Sequence, residues 1–295
     1  MRDSFVETMH ELLAQDKDVI LLTGDLGFGI FDQIAVDFPD RFINVGVAEQ
    51  NMLGLAAGLS LMGKKVFCYS IANFSFMRGL EQFRNGAIYH NTNVTVVCSG
   101  GGFTYGQLGF THFAIEDYGI LSTFSTIEIH HPSTSTQVVD ATRACAAHNG
   151  PSYIRLEKAE LNFPDSFAIA ENLGLHCHAV GERQAIVAIG SLLDVAMSAI
   201  ADGAADNQPA VYSLTRHDHI SDPRLLEELR SYDHIVVVEE HVVPNSVGQK
   251  LKAALQHVNV VQLAISDSGP NIVGDQNYLR NEYGITVSGI RNALT

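Results

Sequence analysis

Along this chain, short apolar runs alternate with longer stretches in which apolar residues recur every three to four positions. Val19–Thr23 is apolar on both sides, the pattern of a strand buried inside a parallel sheet. Phe42–Val47, Lys65–Ser70, Val94–Cys98, Thr126–His130 and Ser152–Leu156 read the same way. Between them the spacing predicts helices over Ser4–Gln15, Phe31–Asp37, Asn51–Met62, Phe74–Ala87 and Ser135–Ala147, and another from about His112. Ser4, with Glu7 three residues on, is placed as the N-cap of the first helix. A second alternation follows, with strands Ala185–Ile189, Ala210–Leu214, His234–Val238 and Val258–Leu263. Its helices are Asp194–Ala201, Pro223–Ser231, Ser246–Ala254 and one near Asn277–Arg280. Such alternation predicts an α/β fold: a doubly wound parallel-sheet domain over residues 1–162, then a smaller α/β domain over 178–295. Residues 159–178, with Pro164, Asp165 and mixed polarity, read as the linker.

Composition narrows the function classes. With 46% hydrophobic residues the chain has ample material for a core. The net charge of −15 and the lack of a Lys/Arg cluster argue against a nucleic-acid groove. No apolar run is long enough for a membrane span. The amphipathic, acidic N-terminus is unlike a signal or transit peptide, so a cytoplasmic protein is expected. Cys68, Cys98, Cys145 and Cys177 stand singly in apolar stretches, which predicts reduced, buried thiols.

The candidate chemistry starts at Glu49. It sits where the Phe42–Val47 strand turns into a small-residue helix, among Val45, Val47, Met52 and Leu53. Burial there disfavours the charged carboxylate unless a donor or a cation meets it. Glu49 is then either an acid compensating a helix dipole or a catalytic acid in a pocket. Phe67, Tyr69, Phe74 and Phe76 are either core or rings that stack on a flat heterocycle. The glycine-rich loop Ser99–Gly109 is too long for a turn, and loops of that size in α/β domains are usually functional. Thr111-His112 ends it, and on a helix Glu116 would face His112 at i,i+4, as a surface ion pair or as an orienting contact. His130-His131, and His176 with His178, lack partners at metal-ligand spacing. Gly24–Gly29 lacks the dinucleotide-binding spacing, and no nucleophile elbow, HExxH or Walker sequence occurs.

Four segments together resemble the transketolase family, and in particular the C-terminal, pyrimidine-binding subunit of split transketolases. They are INVGVAEQNMLGLAAGLSLMGKKVF, FSFMRGLEQFRN, the glycine-rich loop ending THFAIED, and GPSYIRLEK; VVVEEHVVPNSVGQ is a weaker echo in the second half. The resemblance implies a pyrimidine-binding domain followed by a transketolase C-terminal domain. It also implies a thiamine diphosphate-dependent transferase that moves a two-carbon ketol unit between sugar-like substrates. By that resemblance Glu49 meets N1′ of the aminopyrimidine, with Gln50 beside it. Phe74 or Phe76 stacks on the ring, and His112 contacts substrate oxygens and shuttles protons. A 2-oxoacid dehydrogenase β-like subunit, a deoxyxylulose-phosphate synthase-like subunit and a non-catalytic binding subunit remain as alternatives.

The departures matter as much. Gly24-Asp25-Leu26 and Gly274-Asp275-Gln276 are not followed by the Asn pair with which such enzymes hold Mg²⁺ and the diphosphate. The resemblance therefore implies no metal site in this chain. A partner subunit carrying the diphosphate domain is expected to hold Mg²⁺, in an α2β2 assembly with the cofactor at the interface. Leu108 stands where sugar-phosphate enzymes place an Asp, and the loop opens on uncharged Ser99–Gly102. Lys158 replaces a phosphate-binding Arg, and a lysine is the poorer fork. A nucleotide-linked, unphosphorylated or otherwise modified sugar is the expected substrate.

Overall fold

The computed structural model describes residues 1–158, 167–168, 173–201, 208–266 and 271–295. Its first sheet contains β1 (Val19–Thr23), β2 (Phe42–Asn44), β3 (Lys65–Ile71), β4 (Val94–Ser99), β5 (Glu128–His130) and β6 (Ser152–Leu156). They lie in the order β2-β1-β3-β4-β6-β5, all parallel. Every residue of β1, β4 and β6 is buried, as expected where both faces of a parallel sheet are covered.

The second sheet contains β7 (Phe167–Ala168), β8 (Leu175–Ala179), β9 (Gln184–Ala188), β10 (Ala210–Leu214), β11 (His234–Val242) and β12 (Asn259–Ile265). Its order is β12-β11-β9-β10-β8-β7, with β9 to β12 parallel and β7 and β8 antiparallel at the edge. The chain is thus an α/β protein with a parallel six-stranded first sheet.

Several local expectations change. The first helix begins at Arg2, one turn early, so Ser4 lies inside it and does not cap it. Strand β2 stops at Asn44, whose side chain turns to bond the Asp25 backbone and carboxylate. The segment after β3 is a π-helical turn Phe74–Arg78, a short α turn Leu80–Gln82 and a second π stretch Phe83–Ile88. No regular helix begins at His112: a 3₁₀ turn, Phe110–His112, ends there, and the α-helix starts at Asp117. Of the stretch that reads as a linker, Leu175–Ala179 and Phe167–Ala168 are strands, while much of the rest lies outside the described residues. The C-terminus carries two helices, Gln276–Glu282 and Val287–Ala293, where the pattern predicts one. The four cysteines are free and buried.

The two sheets meet across a polar seam. Arg155 at the end of β6 pairs with Asp117 at 3.1 Å and donates to the Glu240 carbonyl at 3.0 Å. Tyr153 donates to the same Asp117 at 2.6 Å. The Glu240 carboxylate accepts from the Phe103 N–H at 2.8 Å and pairs with Arg280. Its neighbour Glu239 accepts from Tyr118 at 2.6 Å and from the Val247 and Gly248 N–H groups that open the helix Val247–Ala254. These charges are buried, and breaking such a pair costs roughly 3–5 kcal/mol.

The opening of the glycine-rich loop admits this seam. A Cβ on Gly101 would stand 1.9 Å from Arg155 Nε, and one on Gly102, at φ +60°, 2.1 Å from the Glu240 carboxylate. Neither neighbour can swing away, because each is buried and paired. Gly101→Ala is therefore expected to lower stability by about 3 kcal/mol. Gly54→Ala, inside the helix Glu49–Leu61 with open space beside it, is expected to raise stability by about 1 kcal/mol. Urea titration of the two variants checks the opposite signs.

Candidate functional site

The site lies where the strand order of the first sheet reverses. Strand β1 has β2 on one side and β3 on the other, and the chain visits them in that order. In open α/β sheets such a switch point leaves a crevice beyond the carboxyl ends of the strands. Gly24 follows β1, Asn73 and Phe74 follow β3, and the helix Glu49–Leu61 crosses between them.

Glu49 is the first residue of that helix, with Ala48 as N-cap. It is only 1% exposed. Its Oε2 accepts from Arg78 Nη1 at 2.6 Å, while its Oε1 is buried without a hydrogen-bond partner among the described residues. Oε1 lies on the Gly24 side, where a Cβ on that glycine would sit 3.6 Å from it and equally far from Ser70 Oγ. Arg78 thus supplies the cation that the buried carboxylate needs. Its side chain is 45% exposed, and its guanidinium also stands 4.7 Å over the Phe74 ring.

Arg78 and Phe74 line a cleft of about 330 Å³ together with Asn73, Met77, Phe110, Thr111, Phe113 and Glu116. Phe74 meets His112 edge-on at 5.1 Å between centroids. His112 Nδ1 is 3.0 Å from Thr111 Oγ1, and Asn73 donates to the Thr111 carbonyl, which ties the end of the glycine-rich loop to the π-helical turn. Burial beside Asp117 pushes the Glu116 carboxyl upward.

The expected residues therefore separate. Phe74 lines the cleft, His112 packs edge-on against Phe74, and Glu49 lies behind the cleft, joined to it through Arg78. Phe76 does not face it: that ring is buried in the core and packs edge-on to Tyr153 at 6.1 Å. Phe67 and Tyr69 are also core, on the opposite side of the sheet with Phe5 and Phe31. Alternation along β3 sends these two away from the cleft. The facing of His112 and Glu116 across a helical turn is lost, because the 3₁₀ turn ends between them. Gln50 is exposed one residue beyond Glu49. Lys158 is exposed and places its ammonium 4.3 Å over the Tyr105 ring. Arg78 is the site residue that sequence reasoning misses, although its place four residues after Phe74 in a helical stretch puts the two side chains on one face.

Elsewhere, Glu128, His130 and Cys145 hold potential metal-ligand atoms within 4.8 Å of one another. Arg216 stands 3.1 Å from the Glu128 carboxylate, so a cation already fills that position. Among the described residues, no helix is long and apolar enough to cross a membrane.

The chemistry around Glu49 suits a flat, nitrogen-bearing ring. The planar guanidinium of Arg78 bonds the carboxylate and lies over Phe74. The family model described as transketolase, pyrimidine binding domain, matches residues 1–164. A subunit of the apulose-4-phosphate transketolase of Actinobacillus succinogenes is 30% identical over 264 residues, covering 86% of this chain and 84% of that protein. The 1-deoxy-D-xylulose-5-phosphate synthase of Aromatoleum aromaticum is 27% identical over 98% of this chain, which spans 47% of that enzyme. A solved split-gene transketolase, described as an inactive β4 tetramer, superimposes with a TM-score of 0.83 at 26% identity, over 99% of this chain and 96% of that one. The chain belongs to the transketolase family, and its first 164 residues are matched by that family's pyrimidine-binding domain.

Proposed function

We propose that this chain is the pyrimidine-binding subunit of a thiamine diphosphate-dependent transketolase that moves a two-carbon ketol unit between sugar-like substrates. The observation that carries the reading is the buried Glu49 carboxylate, set behind a cleft lined by Phe74. A carboxyl removed from water holds or releases a proton toward a ring nitrogen more effectively than one in solvent. Glu49 is assigned that proton exchange. Phe74 offers a flat apolar surface that fixes the plane of the ring. His112, held by Thr111 and by the edge of Phe74, is the group assigned to substrate oxygens. Thiamine diphosphate, when bound, supplies the electron sink for the carbanion. Gln50, exposed one residue beyond Glu49, is assigned to the same cofactor.

The diphosphate and Mg²⁺ are assigned to a partner subunit, within an α2β2 assembly. Supporting this, Asp25 is engaged by Asn44 through both its backbone and its side chain. Asp275 caps the helix Gln276–Glu282. In the sequence neither Gly-Asp pair is followed by an Asn pair. The sugar is read as a modified or unphosphorylated ketose. Leu108 is exposed, and the loop opening is filled by Arg155 and Glu240, so neither puts a charge toward the cleft. Lys158, over Tyr105, is the remaining cation assigned to substrate.

Isothermal titration tests the central claim. The chain alone is expected to show no Mg²⁺-dependent affinity for thiamine diphosphate, and adding the partner subunit is expected to create it. Tight metal-dependent binding by the chain alone would overturn the division of labour.

A further inference from the structure

The cleft and the carboxylate behind it do not touch directly. Glu49 is absent from the cleft lining, whereas Arg78 belongs to it and bonds Glu49 Oε2 at 2.6 Å. Oε1 faces inward toward Gly24 and Ser70. The accessible route to Glu49 therefore runs through the guanidinium. That same guanidinium lies 4.7 Å over Phe74, so it covers the aromatic surface as well as the acid.

We propose that Arg78 is a gate on Glu49: it occupies the heterocycle's place in the unliganded chain and must withdraw before the carboxylate can meet a ring nitrogen. This rests on the reading of Glu49 given above. Three features of the surroundings fit a side chain that moves. Arg78 is half exposed, so its charge can be solvated after leaving, unlike the fully buried Arg155. It ends a π-helical turn and precedes Gly79, whose φ of −103° and ψ of 9° already depart from helical values. Such turns are rare, occur often at functional sites, and can change register locally. Finally, Glu116 lines the same cleft and offers a second carboxylate to the displaced guanidinium.

The gate makes cofactor binding a competition. Part of the ring's interaction with Glu49 is offset by loss of the ion pair, so weakening that pair must tighten binding. The test is calorimetric titration of thiamine diphosphate, with Mg²⁺, into the complex of this chain with its partner subunit. Wild type, Arg78→Met, Arg78→Lys and Glu49→Gln are compared, and each variant's melting curve is checked first. Arg78→Met is expected to bind about tenfold more tightly, and Arg78→Lys, which keeps charge but loses the planar fork, to fall between. Glu49→Gln is expected to bind more weakly than wild type. Unchanged or weaker binding by Arg78→Met, with Glu49→Gln impaired, would overturn the gate and leave the role of Glu49 standing. Wild-type affinity in Glu49→Gln would remove the role of Glu49 and the gate with it.

Discussion

Glu49→Gln is expected to lower the turnover of the assembled enzyme by about 10²- to 10⁴-fold, the range for loss of a general acid–base group. Glutamine keeps the size of the side chain and can still hydrogen-bond, but it cannot exchange a proton with a ring nitrogen. The loss should fall on kcat, with KM for the sugar little changed, because Glu49 is buried behind Arg78 and its proposed partner is the cofactor ring rather than the sugar. Folding should not suffer. The substitution removes a buried charge, and the arginine it releases is half exposed. Steady-state kinetics with the partner subunit present, alongside thermal melts, separate these effects. Two-carbon transfer at the wild-type rate would show that Glu49 is only part of the packing.

Acidification is expected to unfold the chain well before its surface carboxylates are all protonated. Three buried histidines gather around Tyr118 at the seam between the sheets. His241 stacks on its ring at 3.9 Å, His131 meets it edge-on at 4.6 Å and His217 lies at 5.0 Å. His241 Nε2 accepts from the Gly119 N–H, which leaves Nδ1 to donate to the Val242 carbonyl, the arrangement of a neutral imidazole. His217 faces Lys250 at 2.8 Å, and Arg155 stands over the other face of the cluster, against Tyr118. The nearby acids, Asp117 and Glu239, are already engaged by Arg155 and Tyr118.

Burial is the main cause that holds all three histidines below their ordinary value, His241 down to about 4 and the other two well below 6.5. In the unfolded chain they take up protons as the pH falls through about 6.5, while the native state does not. Stability is therefore full above that pH and declines as the pH drops toward the folded values. Each group contributes about 1.4 kcal/mol per pH unit. Three together remove about 5 kcal/mol between pH 6.5 and pH 5, a large share of an ordinary domain's stability. His131→Phe checks the cause. Neither ring nitrogen of His131 has a hydrogen-bond partner among the described residues, so phenylalanine keeps the edge contact with Tyr118 and removes one titration. The variant should retain about 2 kcal/mol more than wild type at pH 5, relative to pH 7, in urea denaturation. An identical pH dependence would rule the cluster out as the source.

Much of the fold can be read along the chain, and particular residues show why. Val19–Thr23, Val94–Cys98 and Ser152–Leu156 are apolar on both faces because each strand is covered on both sides, a demand that burial writes into consecutive positions. Leu175–Ala179 reads as linker because two histidines interrupt it, and only pairing with Ala210–Leu214 on one side and Phe167–Ala168 on the other makes it a strand. The helix expected at His112 fails for a related reason. Its residues carry helical spacing, but Gly109, at φ +79°, and the loop's ties to Asn73 and Glu240 hold the backbone in 3₁₀ turns.

For the site, the sequence by itself determined which carboxylate to watch, since an acid between a buried strand and a small-residue helix is costly unless something meets it. It also brought forward Phe74 and His112. What met the carboxylate was decided in three dimensions. The π-helical turn brings Arg78 onto Glu49, turns Phe76 into the core and leaves Phe74 at the cleft. Likewise Gly101 and Gly102 read as a possible ligand loop, yet their lack of side chains serves the close approach of Arg155 and Glu240. Local pattern records how often a residue must be buried. It does not record which distant side chain arrives beside it, and charge pairing across the sheet's switch point and the seam is entirely of that second kind.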